Sequence, residues 1–226
     1  MARTFTMKVV GHKLCPYVQR AVITMIECGI EFERTDIDLN EKSDWLADMS
    51  PGGLVPVVEV ASGRWLFESG VISEFVDDEA AGGLLPAEPF ERALHKAWIG
   101  YIDDLLRIVA QIIYLDTDQI AVGASLSKLM VGLEMIIDRF PPRPYLAGLK
   151  LGLIDIVFAT LVRYSKVLSL IDETAASVPK GVADWWKTVS DRASIRAAVP
   201  TDYDRELVRF IAAKDSYAGR WLSVTH

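Results

Sequence analysis

Residues 6–28 read TMKVVGHKLCPYVQRAVITMIEC, and this stretch decides the fold. Thr6-Met7-Lys8-Val9-Val10 is rich in β-formers and stops at Gly11, the pattern of a strand. From Pro16 to Cys28 the apolar residues Val18, Ala21, Val22, Met25 and Ile26 recur at helical spacing, and Gly29 marks the stop. Pro16 suits the first helical turn, where its missing N–H has no helical partner to lose. Cys15 then falls on the cap, with free N–H groups and the positive end of the helix dipole facing its sulfur. Both favour thiolate over thiol, so the expectation is a lowered pKa and a nucleophilic sulfur. A dithiol enzyme would carry a second cysteine three residues on, and here that position is Val18. A mixed disulfide on Cys15 therefore needs a second thiol from solution to clear it.

Outward from this stretch, Ile30–Ile37 reads as a second strand and Ser43–Met49 as a short helix begun by a serine cap. Pro51-Gly52-Gly53 breaks it. Val55–Val60 and Arg64–Phe67 read as strands around a Ser62-Gly63 turn, a hairpin, and Ser69–Asp78 as a helix. The order βαβ then ββα predicts a small mixed α/β sheet, a parallel crossover joined to an antiparallel hairpin. Residues 80–89 hold two glycines and two prolines without periodicity and read as a linker. Beyond them the periodicity is helical throughout: Phe90–Leu115, Ser125–Phe140, Gly152–Ile171, Val182–Arg192 and Thr201–Tyr217. The expected organisation is a first domain over 1–79, a linker over 80–89 and an all-α domain over 90–226.

The chain has 226 residues, 51% hydrophobic and 24% charged, enough to bury a sizeable core. Its net charge of −7 argues against a nucleic-acid partner, since phosphate binding wants an excess of Lys and Arg. The two cysteines, Cys15 and Cys28, would lie roughly 20 Å apart on one helix, too far for a disulfide. The expectation is two reduced thiols in a cytoplasmic protein, with Cys28 plain core. The N-terminus is too short and polar for a signal peptide, and the longest apolar run, Leu151–Val162, contains Asp155, so no membrane span is expected.

Cys15-Pro16-Tyr17-Val18-Gln19-Arg20 resembles the active-site segment of cysteine-type glutathione transferases, most like the omega class. The resemblance runs on through Leu39–Leu46, Pro51-Gly52-Gly53-Leu54-Val55-Pro56-Val57, Phe67-Glu68-Ser69-Gly70, and Leu84-Leu85-Pro86 with Pro89–Ala93. It covers about the first 95 residues well and the rest only in helical character. It implies a thioredoxin-like first domain followed by an all-helical one, a homodimer, and glutathione as co-substrate with no metal.

By the same resemblance, the proline matching Pro56 is cis in relatives. The backbone of the preceding residue, here Val55, pairs with the cysteinyl part of glutathione as an added strand would. Glu68 and Ser69 match the pair that holds the γ-glutamyl end. The physics agrees, since Ser69 would start a helix whose N–H groups suit a carboxylate, and Glu68 suits an ammonium. Lys42 matches a position that meets the glycyl carboxylate. In one place the chain departs from the family. Relatives carry a Ser or Thr cap three residues before an aspartate in the helical domain; here Asp155 is kept, as a structural residue, but the cap is Gly152, which has no side-chain acceptor.

Aromatic residues suit the wall of a second-substrate pocket for apolar electrophiles, and Tyr17, Tyr101 and Trp221 are the first candidates, with Trp98, Ile102 and Tyr114 behind them. Each has an alternative as core, as Trp185-Trp186 does. His12, His95 and His226 show no ligand spacing, though His12 stands near Cys15. The implied activity is thiol transfer or reduction through Cys15, of the thioltransferase or dehydroascorbate reductase type. The alternatives are glutathione conjugation to apolar electrophiles and a non-catalytic transferase-like binding module.

Overall fold

The computed structural model describes residues 5–38, 44–173 and 176–225. The chain divides into two compact units, one of Met1–Leu85 with Ala193–Pro200, the other of Pro86–Arg192 with Thr201–His226.

The first unit is built on a four-stranded sheet. Strand β1 (Met7–Gly11) runs parallel to β2 (Phe32–Asp36), with Val9 opposite Arg34 and Gly11 opposite Asp36. On its other side β1 pairs antiparallel with β3 (Val57–Ala61), Val10 opposite Val57, and β3 pairs antiparallel with β4 (Arg64–Phe67), Val57 opposite Phe67. The order β2-β1-β3-β4 is the mixed, thioredoxin-like sheet that the βαβ-ββα reading implies. Helix α1 (Pro16–Glu27) is the crossover between the parallel strands. It ends where Gly29 takes φ 64°, a left-handed conformation cheap only for glycine, while Ile30 N–H donates to the Met25 carbonyl. Successive strand residues face opposite sides of the sheet. Val10 and Val57 enclose Leu46 of the short helix α2 (Asp44–Met49) on one side, with Ile37, Met49, Val55 and Trp65 around them. Met7 and Val9 are fully buried on the other. Helix α3 (Ser69–Ala80) packs along α1, where the Thr24 hydroxyl donates to Ser73 at 3.2 Å. The Asp77 carboxylate closes the turn beyond α3 by accepting from the amides of Leu84 and Leu85.

The second unit is helical: α4 (Pro89–Tyr114), α5 (Gln119–Arg139), α6 (Leu153–Val162), α7 (Ser165–Leu168), α8 (Lys180–Val189), α10 (Tyr203–Ala212) and α11 (Tyr217–Thr225). Every residue of α6 is buried, so it lies inside the unit's core. Helices α4 and α5 cross closely because residue 132 is glycine; a Cβ there would stand 2.4 Å from Leu105. Against the expectation that no stretch could span a membrane, α5 has the length and mean hydropathy, 1.7, to do so among the described residues. Its Val122, Leu126, Leu129, Leu133 and Ile136 are buried in this unit's core.

Several boundaries differ from the sequence reading; α5, expected from Ser125, starts at Gln119 behind the Asp118 cap. The helix expected over Gly152–Ile171 breaks at Arg163-Tyr164, where the Ser165 hydroxyl takes the Val162 carbonyl and so competes with the helical ladder. The helix expected over Thr201–Tyr217 ends at Ala212, and α11 starts anew behind Ser216, whose hydroxyl accepts from Gly219 N–H at 3.0 Å. Residues 193–200, read with the helices from 90 onward, carry the short helix α9 (Ala193–Ala197) and pack with the first unit against α1.

Candidate active site

The strand register alone brings the candidate residues to one end of the sheet. β1 ends at Gly11, and the chain reaches Cys15 four residues later. Val10 faces Val57, so Val55 and Pro56, just ahead of β3, stand at that same end. Val57 in turn faces Phe67, the last residue of β4, which places Glu68 and Ser69 there too. The Val55–Pro56 peptide is cis. Pro56 is buried and Val55 half-buried. Lys42 lies outside the described residues.

Cys15 is the N-cap of α1, with φ −69° and ψ 122° and with Pro16 in the first turn, as the sequence requires. Its N–H donates to the His12 carbonyl at 3.0 Å and its own carbonyl accepts from Gln19 N–H at 3.1 Å, so both ends of the residue are fixed. The Gln19 side chain adds a bond to the Leu14 carbonyl. Gly11 lets the helix come this close to the strand, since a Cβ there would lie 2.4 Å from Val18. The expected fall in the Cys15 pKa is not found. Burial pushes the thiol up, and this outweighs the amides of Val18 and Tyr17 and the positive charges of Arg20 and Arg34, which all pull it down. The pull of these amides and charges is smaller than the cost of taking a charged sulfur out of water, so desolvation of the charged form wins.

Both arginines escape a reading of motifs. Arg20 lies inside the quoted segment but is fully buried, its guanidinium 5.5 Å from the Tyr17 ring centroid and close to Gly70 at the start of α3. Arg34 sits on β2, where nothing in the sequence marks it. His12 accepts from Leu14 N–H through Nδ1 at 3.4 Å; among the described residues the charges of Arg20 and Arg34 favour the ionised sulfur. Cys28, at the far end of α1, has its thiol pushed up to about 11 by burial and by the carboxylates of Asp77 and Glu27.

Ser69 starts α3, as the sequence suggests. Glu68 takes the cap position at φ 68° and ψ 108°, uncommon for a residue with a Cβ, and Ser69 is the buried first helical residue. The exposed Glu68 side chain makes no capping bond. Of the aromatic candidates, Tyr17 is half-buried on α1 under Arg20. In the second unit the Tyr101 hydroxyl donates to the Met135 sulfur at 3.5 Å and its ring meets Trp98 edge-on. Trp98 and His95 in turn meet Phe140 edge-on, so this group is helix packing. Tyr114 packs edge-on with Phe210. Trp221 stacks on Tyr217, its indole N–H donates to the Leu170 carbonyl at 2.9 Å, and with Arg220, Val224 and Thr225 they line a depression of about 280 Å³. Among the described residues no group of acidic, histidine or cysteine side chains could hold a metal ion.

A family model for the glutathione S-transferase N-terminal domain matches residues 14–79, the segment from Cys15 through Ser69. Over this segment the chain is similar to the glutathione transferase superfamily. Its similarity within the superfamily points two ways. Glutathione S-transferase omega-1 of Sus scrofa is 34% identical over 90 residues, 39% of this chain but only 37% of that protein. Probable glutathione S-transferase GSTU6 of Oryza sativa subsp. japonica is 25% identical over 224 residues, 92% of this chain and 94% of that one. A rice glutathione transferase solved in complex with glutathione superposes with a TM-score of 0.79 at 23% identity, over 93% of this chain and 96% of that one, which shows the shared fold.

Proposed function

We propose that this chain is a glutathione-dependent thiol transferase working through Cys15. The observation that carries the proposal is the convergence of a helix-capping cysteine, the Val55–Pro56 backbone and the Glu68-Ser69 pair on one end of the sheet. In this reading the Val55 backbone pairs with the cysteinyl part of glutathione. The amides at the start of α3 and Ser69 take the γ-glutamyl carboxylate, Glu68 its ammonium, and Lys42 the glycyl carboxylate. The Cys15 thiolate attacks the glutathionyl sulfur of a mixed disulfide; a Cys15–glutathione disulfide forms and the other thiol leaves as thiolate. A second glutathione thiolate attacks the glutathione sulfur of that intermediate, releasing oxidised glutathione and restoring Cys15. No second cysteine can intervene, because Cys28 lies at the opposite end of α1. The raised thiol pKa makes the transfer faster in mildly alkaline solution than at neutrality. A homodimer belongs to the same reading and is tested by light scattering.

Incubation with oxidised glutathione followed by intact mass measurement tests it. One glutathione adduct is expected, lost on reduction and absent in Cys15→Ser. An adduct on Cys28 instead overturns the assignment.

One observation favours a second reading. A half-buried Cys15 that keeps its proton can donate its S–H to a bound glutathione thiolate, the arrangement for conjugation to an apolar electrophile, and the rice relative aligns over nearly the whole chain. Turnover of hydroxyethyl disulfide beside chlorodinitrobenzene separates the two. Failure to bind glutathione resin would favour a binding module instead.

A further inference from the structure

We propose that Arg20 is a positioning residue for the γ-glutamyl carboxylate of glutathione: its buried guanidinium, held between the Tyr17 ring and the Gly70 backbone, fixes a positive charge behind the first-turn amides of α3. The inference deepens the glutathione-binding part of the function proposed above and rests on it, since there those amides receive that carboxylate.

The geometry comes from the seam where α3 packs along α1. Tyr17, Arg20 and Thr24 stand three and four residues apart and so share one face of α1. Two contacts set the register of the seam. A Cβ built on Gly70 would stand 3.9 Å from Arg20 Nη1, and the Thr24 hydroxyl donates to that of Ser73 at 3.2 Å. Four residues forward along α1 thus correspond to three forward along α3. The two helices run parallel, and their N-termini lie at the same end. The first bond of the α3 ladder runs from Ile72 N–H to the Glu68 carbonyl, so the N–H groups of Ser69, Gly70 and Val71 stand ahead of it. Gly70 carries no side chain to hold the guanidinium off this turn. On its other side the guanidinium carbon lies 5.5 Å from the Tyr17 ring centroid, a cation–π contact.

This charge stands against the usual preference. Helix dipoles favour cations at C-termini, and a guanidinium taken out of water loses its hydration. Yet Arg20 is 1% exposed, one turn inside α1 and against the first turn of α3. Two helix dipoles and a permanent charge of the same sign therefore add at one end of the seam. A carboxylate docked on the α3 amides is the group that lowers their joint cost. Buried as it is, Arg20 acts on that carboxylate through the α3 turn and through its field, not by contact.

The test is calorimetric binding, under a phosphine reductant, of two ligands: glutathione, and glutathione with its γ-glutamyl α-carboxylate converted to the primary amide. Arg20→Gln removes the charge and Arg20→Lys keeps it. Thermal unfolding confirms that each variant folds; if Arg20→Gln does not, Arg20→citrulline takes its place, with the planar shape kept and the charge gone. Loss of one unit charge several ångströms away, at an effective dielectric between protein surface and water, should weaken glutathione binding by about threefold to tenfold. Binding of the amide should hardly change, and Arg20→Lys should recover most of the preference for the carboxylate. Equal weakening of both ligands, the mark of a merely structural role, overturns the proposal. So do neutral variants that bind both ligands as wild type does, and an Arg20→Lys protein with no more preference than Arg20→Gln. A wild-type protein that binds neither ligand sinks the docking of glutathione itself, and the role of Arg20 with it. A preference that narrows in Arg20→Gln while no adduct forms on Cys15 upholds Arg20 and sinks only thiol transfer.

Discussion

The Asp155 carboxylate accepts the Trp185 indole N–H at 3.0 Å, and this one bond joins the start of α6 to the middle of α8. The same carboxylate accepts from the amides of Leu146, Ala147 and Gly152, so all its capacity is spent inside the unit. Burial pushes the carboxyl up and the four donors pull it down.

Asp155→Ala should therefore leave the amides of Leu146 and Gly152 and an indole N–H buried without an acceptor, at a cost of about 3 kcal/mol or more. Trp185→Phe, which removes one donor and keeps most of the packing against Phe158, should cost about 1–3 kcal/mol. Urea unfolding of the two variants checks the ranking. Equal, small losses would mean that the carboxylate is not the organiser of this corner.

Gly11 meets Val18 so closely that Gly11→Ala forces the first turn of α1 away from β1, at about 1–3 kcal/mol. Gly11→Ala combined with Val18→Ala should restore much of the stability, because the second change removes the atoms struck. A double-mutant cycle by thermal unfolding reads the coupling; additive losses would refute it.

His95 is buried on α4 against Phe140, and burial lowers its pKa, more than Glu91 raises it. A histidine whose folded-state pKa lies below the unfolded value binds fewer protons folded than unfolded. Stability should then fall as the pH drops below about 6.5 and level off beneath the folded-state pKa. Urea midpoints between pH 7.5 and 5 should show this slope, and His95→Gln should flatten it. An identical slope in the variant would assign the effect to other groups.

The Cys28 thiol, pushed up to about 11, should be about a thousandth ionised at pH 8. Peptide mapping after brief iodoacetamide treatment at pH 8 should find little label at Cys28, with labelling rising towards pH 11. Heavy labelling of Cys28 at pH 8 would show that the end of α1 opens to solvent.

The sequence by itself determined the order of strands and helices in the first unit, the start of α1 at Cys15-Pro16 and its stop at Gly29. These features rest on periodicity, proline and glycine chemistry, which act within a few residues of one another. It also placed Cys15, Val55, Pro56, Glu68 and Ser69 in an order that the strand register then gathers at one end of the sheet. Only the tertiary structure decided the direction of the Cys15 pKa, because desolvation sums over every atom packed around the sulfur, and those atoms come from many parts of the chain. It alone returned residues 193–200 to the first unit and set Arg34 against the Ala198 carbonyl, a contact across 164 residues that no local pattern encodes.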